Sequence, residues 1–249
     1  MQTRRSLLIG VPAVAVAAMV APTGATALAA TPRQSPIHIR SRKAVSGPDL
    51  PELVVDYPDH VDVHVHYVRK DEDDPNGCNI RHHEEVVEAE VPAGAAAVEL
   101  GGVRYELLQF HFHSRSEHVL DERRFPIEQH FVHRGPDGRI LVLGLFLAGG
   151  GRGGTYQDAL LREMPAEGGE ELEVSGDLAA ALPSDLSTFR YDGSLTTAPF
   201  TEGVSWLVLK EPVRVARETV ERHQDFFPDG NSRDVQPLNG RVVRYREQC

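Results

Sequence analysis

Residues 140–147 read I-L-V-L-G-L-F-L, an unbroken apolar run around one glycine. The run is too short to cross a membrane and too continuous for a strand with one wet face. A strand of this kind needs cover on both faces, so other elements must pack on either side of it. Further β-type runs are at hand at residues 53–57, 61–68, 86–91, 105–113, 128–134, 204–209 and 242–245. Turn signals separate them: Pro75-Asn76-Gly77, Gly101-Gly102 and Gly135-Pro136-Asp137-Gly138. The last of these joins two apolar runs and predicts an antiparallel hairpin. Two segments read as helices, 156–164 with Thr155 as N-cap and Pro165 as its stop, and 216–225. The expected fold is mainly β (α+β). It is a single domain around a large, twisted, mostly antiparallel central sheet with a few short surface helices. The glycine-rich stretch 149–154 lacks the Gly-Lys-Ser/Thr ending of a phosphate loop and reads as a flexible connection.

The N-terminus carries Arg4-Arg5, an apolar stretch over 7–21 holding Gly10 and Pro12, and then Ala27-Leu28-Ala29. This predicts a cleaved twin-arginine-type export signal over residues 1–29, with 30–249 as the mature domain in the periplasm or outside the cell. No membrane segment is expected after cleavage. Arg4 and Arg5 are the only charged residues of the leader, so the net charge of −11 becomes −13 without it. Such acidity argues against nucleic acid as a partner. Cys78 and Cys249 are the only cysteines, which excludes a four-cysteine zinc site and allows one disulfide at most.

Histidine is abundant, at 12 residues, and its placement carries chemistry. Residues 109–118 read Q-F-H-F-H-S-R-S-E-H. Alternation in a strand puts Gln109, His111 and His113 on one face and Phe110 and Phe112 on the other. In the next run Glu128, His130 and Val132 share a face. Antiparallel pairing of the two runs would set His130 beside His111 and His113. Three histidines with an open fourth position make a catalytic zinc site rather than a closed structural one. Gln109 and Glu128, two residues from ligands, sit where partners of the second ring nitrogen belong. His64-Val65-His66 has the same spacing but no matching third histidine, and reads as a solvated or edge face.

These residues resemble the α-class carbonic anhydrases. The matching pieces are Gln34-Ser35-Pro36-Ile37, the 109–118 run, 128–133, 142–147, 191–199, Val204-Ser205-Trp206, Lys210-Glu211-Pro212, Asn231-Ser232-Arg233 and Gln236-Pro237-Leu238, in family order. The resemblance implies zinc-dependent, reversible hydration of carbon dioxide to bicarbonate and a proton by zinc-bound hydroxide. His111, His113 and His130 match the Zn2+ ligands. Gln109 and Glu128 match the partners of His111 and His130, and Asn231 matches the backbone carbonyl facing His113. Thr196 matches the hydroxyl that orients the hydroxide, and Glu117 the carboxylate that takes the Thr196 proton. Val132, Val142, Leu195, Val204 and Trp206, with Thr197 beside them, match the wall that holds the substrate. His118, Tyr191 and His133 match buried supporting residues.

The family's Asn-x-Gly-His shuttle pattern is not readable, and either His82 or His83 is the candidate proton shuttle. The aromatic segment that usually precedes Gln34 is absent, as is the cysteine pair that joins it to the position of Phe200. Ser114-Arg115 and Asp192 are further departures. A monomer or weak homodimer is expected. The competing readings are a non-catalytic binding or zinc-buffering relative, and small-ester hydrolysis as a side activity.

Overall fold

The computed structural model describes residues 31–68, 85–166 and 169–248, with Pro32 onward forming one unit. The strands, in chain order, are β1 (His38–Ile39), β2 (Val45–Ser46), β3 (Leu53–Asp56), β4 (Val61–Val68), β5 (Val86–Glu90), β6 (Ala97–Leu100), β7 (Val103–His113), β8 (Val119–Leu120), β9 (Ile127–Arg134) and β10 (Ile140–Ala148). They continue with β11 (Leu172–Gly176), β12 (Thr188–Ser194), β13 (Glu202–Leu209), β14 (Val213–Arg214) and β15 (Arg244–Arg246). Two α-helices, α1 (Tyr156–Leu160) and α2 (Arg217–Phe226), lie among them.

Among the described residues thirteen strands form one sheet whose main path runs β11-β4-β5-β7-β9-β10-β13-β12-β15-β2. Most neighbours are antiparallel, while β10 runs parallel to β13 and β14, and β15 parallel to β2. The apolar run occupies the middle of this sheet, as its composition requires. Leu141, Leu143, Leu145 and Leu147 enter one core cluster with Phe110, Phe112 and Phe131. Val142, Phe146 and Ala148 enter a second with Trp206 and Val208. Alternation along one strand therefore serves two cores. Gly144 sits on the second face, where an added Cβ would meet the Glu128 carboxylate at 3.2 Å and the Trp206 ring at 3.7 Å. Its missing side chain makes room for both.

The hairpin through 135–138 joins β9 to β10 with Val142 opposite Val132. The first helix is shorter than expected. Thr155 caps it reciprocally with Asp158, but Leu161 already leaves helical geometry. Seven strands were not foreseen: the two-residue β1, β2, β8 and β14, and the longer β6, β11 and β12. The β12 sequence T-F-R-Y-D-G-S has little alternation, and only its pairing with β13 and β15 makes it a strand. The last strand is displaced from 242–245 to β15. Among the described residues no helix is long and apolar enough to cross a membrane.

Candidate metal centre

The site grows from the pairing of β7 with β9. Their antiparallel register sets His111 opposite His130 and His113 opposite Glu128. Pairing puts both sets on one face, while Phe110, Phe112 and Phe131 fill the core behind. The three rings converge. Centroids lie 5.0 Å apart for His111 and His113, 5.3 Å for His111 and His130, and 4.7 Å for His113 and His130. One ligand atom from each falls within 4.8 Å of the others, and all three residues are buried.

Each ring is held by a different acceptor. His111 Nδ1 donates to Gln109 Oε1 at 2.9 Å. His113 Nδ1 donates to the backbone carbonyl of Asn231 at 3.0 Å. His130 Nε2 donates to Glu128 Oε1 at 3.0 Å. The remaining nitrogens are Nε2 of His111, Nε2 of His113 and Nδ1 of His130. His113 Nε2 is buried without a hydrogen-bond partner. A buried ring nitrogen in that state fits a metal ligand, since buried polar atoms are otherwise paired.

Asn231 is pinned on every side. Its Oδ1 accepts from Ser114 N at 2.6 Å, and its Nδ2 donates to Glu85 O and Phe112 O. Glu128 also accepts from the backbone and ring nitrogens of His118, at 2.8 and 2.7 Å. His118 Nε2 lies 2.7 Å from the Tyr191 hydroxyl, which lies 2.9 Å from Ser35 Oγ. Burial works against the Glu128 charge, but His118 and His130 outweigh it and hold the carboxyl well below its usual range. Burial likewise disfavours the His130 cation, yet Glu128 and then Glu117 raise its pKa overall. In His113 burial wins and the pKa is lowered. His133, buried behind the site, is lowered by burial to about 4, and its Nε2 lies 2.8 Å from the Tyr57 hydroxyl.

A cavity of about 300 Å³ opens on the rings. It is lined by Gln109, His111, His130, Val132, Val142, Leu195, Thr196, Thr197 and Trp206, and also by Leu108, Arg134 and Ile140. The last three were missed by sequence reasoning; the alternation of β7, β9 and β10 carried the signal for all but Leu108. Val204 is buried in the core cluster with Trp206 and is not among the lining residues. Glu117 is buried beneath the rings. Its Oε1 accepts from Arg233 N at 2.8 Å, and its Oε2 lies 3.6 Å from His113 Nε2 and 3.8 Å from His130 Nδ1. That oxygen has no hydrogen-bond partner, so no bond joins it to Thr196 in this arrangement. His82 and His83 lie outside the described residues.

Of the expected solvated or edge face, the solvated part holds for His64, while the edge does not. Strand β4 lies between β11 and β5, inside the sheet. His64 is exposed, but His66 is half-buried and pairs with Glu88, which pairs in turn with His111. Spacing along one strand cannot reveal which strand comes to lie beside it.

A central mixed sheet carrying three buried, individually held imidazoles defines the carbonic anhydrases of eukaryotic type. The chain belongs to that family, whose profile matches residues 23–247. The carbonic anhydrase of Neisseria gonorrhoeae is 37% identical over 211 residues, 84% of this chain and 76% of that protein. The carbonic anhydrase of Pectobacterium carotovorum is 37% identical over 141 residues, 56% of this chain, so the match spans little over half (57%) of that relative. The α-carbonic anhydrase of Thermovibrio ammonificans, solved with the inhibitor sulfanilamide, superposes with a TM-score of 0.72. It is 34% identical, covering 85% of this chain and 86% of that one.

Proposed function

We propose that the protein catalyses the reversible hydration of carbon dioxide to bicarbonate and a proton, with Zn2+ held by His111, His113 and His130. The observation that carries this reading is the convergence of three buried imidazoles, each with its other nitrogen tied to a separate acceptor. Bound zinc lowers the pKa of a coordinated water to about 7, the value characteristic of carbonic anhydrases, and so supplies a nucleophile near neutral pH.

The chain's own residues do the rest. Gln109, Asn231 and Glu128 fix the ring tautomers, so that the lone pairs of His111, His113 and His130 point to one place. Val132, Val142, Leu195 and Trp206 offer an apolar wall to a substrate without net charge or dipole, and Thr197 stands beside them. Thr196 orients the nucleophile through its hydroxyl, and Glu117 is the acceptor for the Thr196 proton. For that bond Glu117 Oε2 turns from the ring nitrogens toward Thr196. The product proton leaves through His82 or His83. Small-ester hydrolysis follows as a side activity, because attack on an ester carbonyl is similar chemistry. Residues 1–29 serve as a twin-arginine export leader, and the mature chain works outside the cytoplasm.

Stopped-flow carbon dioxide hydration by the zinc-loaded protein, with a chelated sample as control, tests the reading. Fast, zinc-dependent turnover is expected. Bound zinc with no turnover would instead make this a binding or zinc-buffering member of the family.

A further inference from the structure

A second group of ligand-type side chains lies on the same sheet face, toward the β4 side of the metal centre. Glu88 and Glu90 stand two residues apart on β5, so alternation puts both carboxylates on one face. His66, on β4, is directly opposite Glu88. One ligand atom each from His66, Glu88 and Glu90 falls within 4.8 Å of the others. His66 Nε2 lies 4.0 Å from Glu88 Oε1, too far for a hydrogen bond and close to the separation of two donors sharing one ion. His66 Nδ1 is buried and makes no hydrogen bond, so neither ring nitrogen is engaged as such nitrogens ordinarily are. The side chains of His66 and Glu88 keep 22% and 14% of their surface, which leaves an approach from solvent.

We propose that His66, Glu88 and Glu90 form a second divalent-cation site on the cavity-side face, separate from the three-histidine centre. One imidazole and two carboxylates suit a borderline transition ion such as Zn2+, Cu2+ or Co2+, with water completing the coordination. Register sets the distance between the two centres. Glu88 is one strand from His111 and His66 is two strands away, at about 4.8 Å per strand.

The test is equilibrium dialysis of the zinc-loaded protein against micromolar Zn2+, reading metal content by mass spectrometry. Two equivalents are expected in the unaltered chain. His66→Ala and Glu90→Gln should each bind one, with circular dichroism unchanged and carbon dioxide hydration retained. Copper added to the zinc-loaded protein should give an electron paramagnetic resonance spectrum with coupling to one nitrogen. A single equivalent in the unaltered chain overturns the proposal, as does a second equivalent that survives either substitution, or a copper spectrum with several nitrogens. Loss of the first equivalent or of turnover concerns the three-histidine centre alone and leaves this count readable.

Discussion

At the scale of single residues, the proposed site divides into groups that would hold an ion and groups that would shape its reactivity, and substitution separates them. His130 joins the other two rings from a different strand and is tied to Glu128. His130→Ala should lose the zinc equivalent of the three-histidine centre and hydration together, checked by metal analysis beside the rate. Full zinc retained in the variant would remove His130 from the ligand set. Thr196 lines the cavity and is not one of the ring acceptors. Thr196→Ala should therefore keep its zinc while hydration falls roughly 100-fold, the scale of losing one orienting hydroxyl in a pre-formed site. An unchanged rate would dismiss it from the mechanism. His111, His113, Gln109 and Glu128 were legible because a period of two places them without any tertiary knowledge. The Asn231 carbonyl, 118 residues beyond His113, carries no such local signal. Only the resemblance pointed to it, because a backbone oxygen leaves no mark in residue type.

At the scale of elements, α2 packs a histidine into the core beneath β7, the strand of His111 and His113. His223 is fully buried against Phe112 and Phe227, and neither ring nitrogen has a partner. Burial, with a smaller repulsion from His113, lowers its pKa from 6.5 to about 3. The folded state therefore keeps His223 neutral where the unfolded chain takes up a proton. Its stability contribution is complete above pH 6.5 and is lost as the pH falls from 6.5 toward about 3, at about 1.4 kcal/mol per pH unit. His133 acts in the same sense between 6.5 and about 4. His223→Leu should raise stability at pH 7 by about 1 kcal/mol, by removing two unpaired polar atoms. It should also flatten the acid-side decline by one proton. Urea unfolding at pH 7 and pH 5 measures both, and an unchanged difference between the two would refute the assignment.

At the scale of the whole molecule, the centre joins β7 and β9 to the loop holding Asn231, so a metal bound there would be linked thermodynamically to the fold. An ion that binds only the folded chain stabilises it by about 4 kcal/mol at a thousandfold excess over its dissociation constant. For a domain of this size that is a rise in Tm of about 10 °C. Calorimetry of zinc-loaded and chelated protein should show this shift, and His130→Ala should lose most of it. A full shift that persisted in the variant would place the stabilising ion elsewhere.

The sequence by itself determined the class of fold and the identity of the strands that matter. The apolar run of β10 demanded burial on both faces, and the alternation of Q-F-H-F-H separated an aromatic core face from a polar one. These are local properties, read from period and composition. The tertiary structure decided which strands became neighbours. It brought β12 into the sheet although its residues alone do not spell a strand. It left Val204 behind Trp206 rather than in the cavity wall, and turned Glu117 toward the rings rather than toward Thr196. It also carried His66 from a supposed edge to the row that continues through Glu88 to His111. Register between strands distant in sequence is set by the packing of the whole sheet, and no stretch of residues encodes it alone.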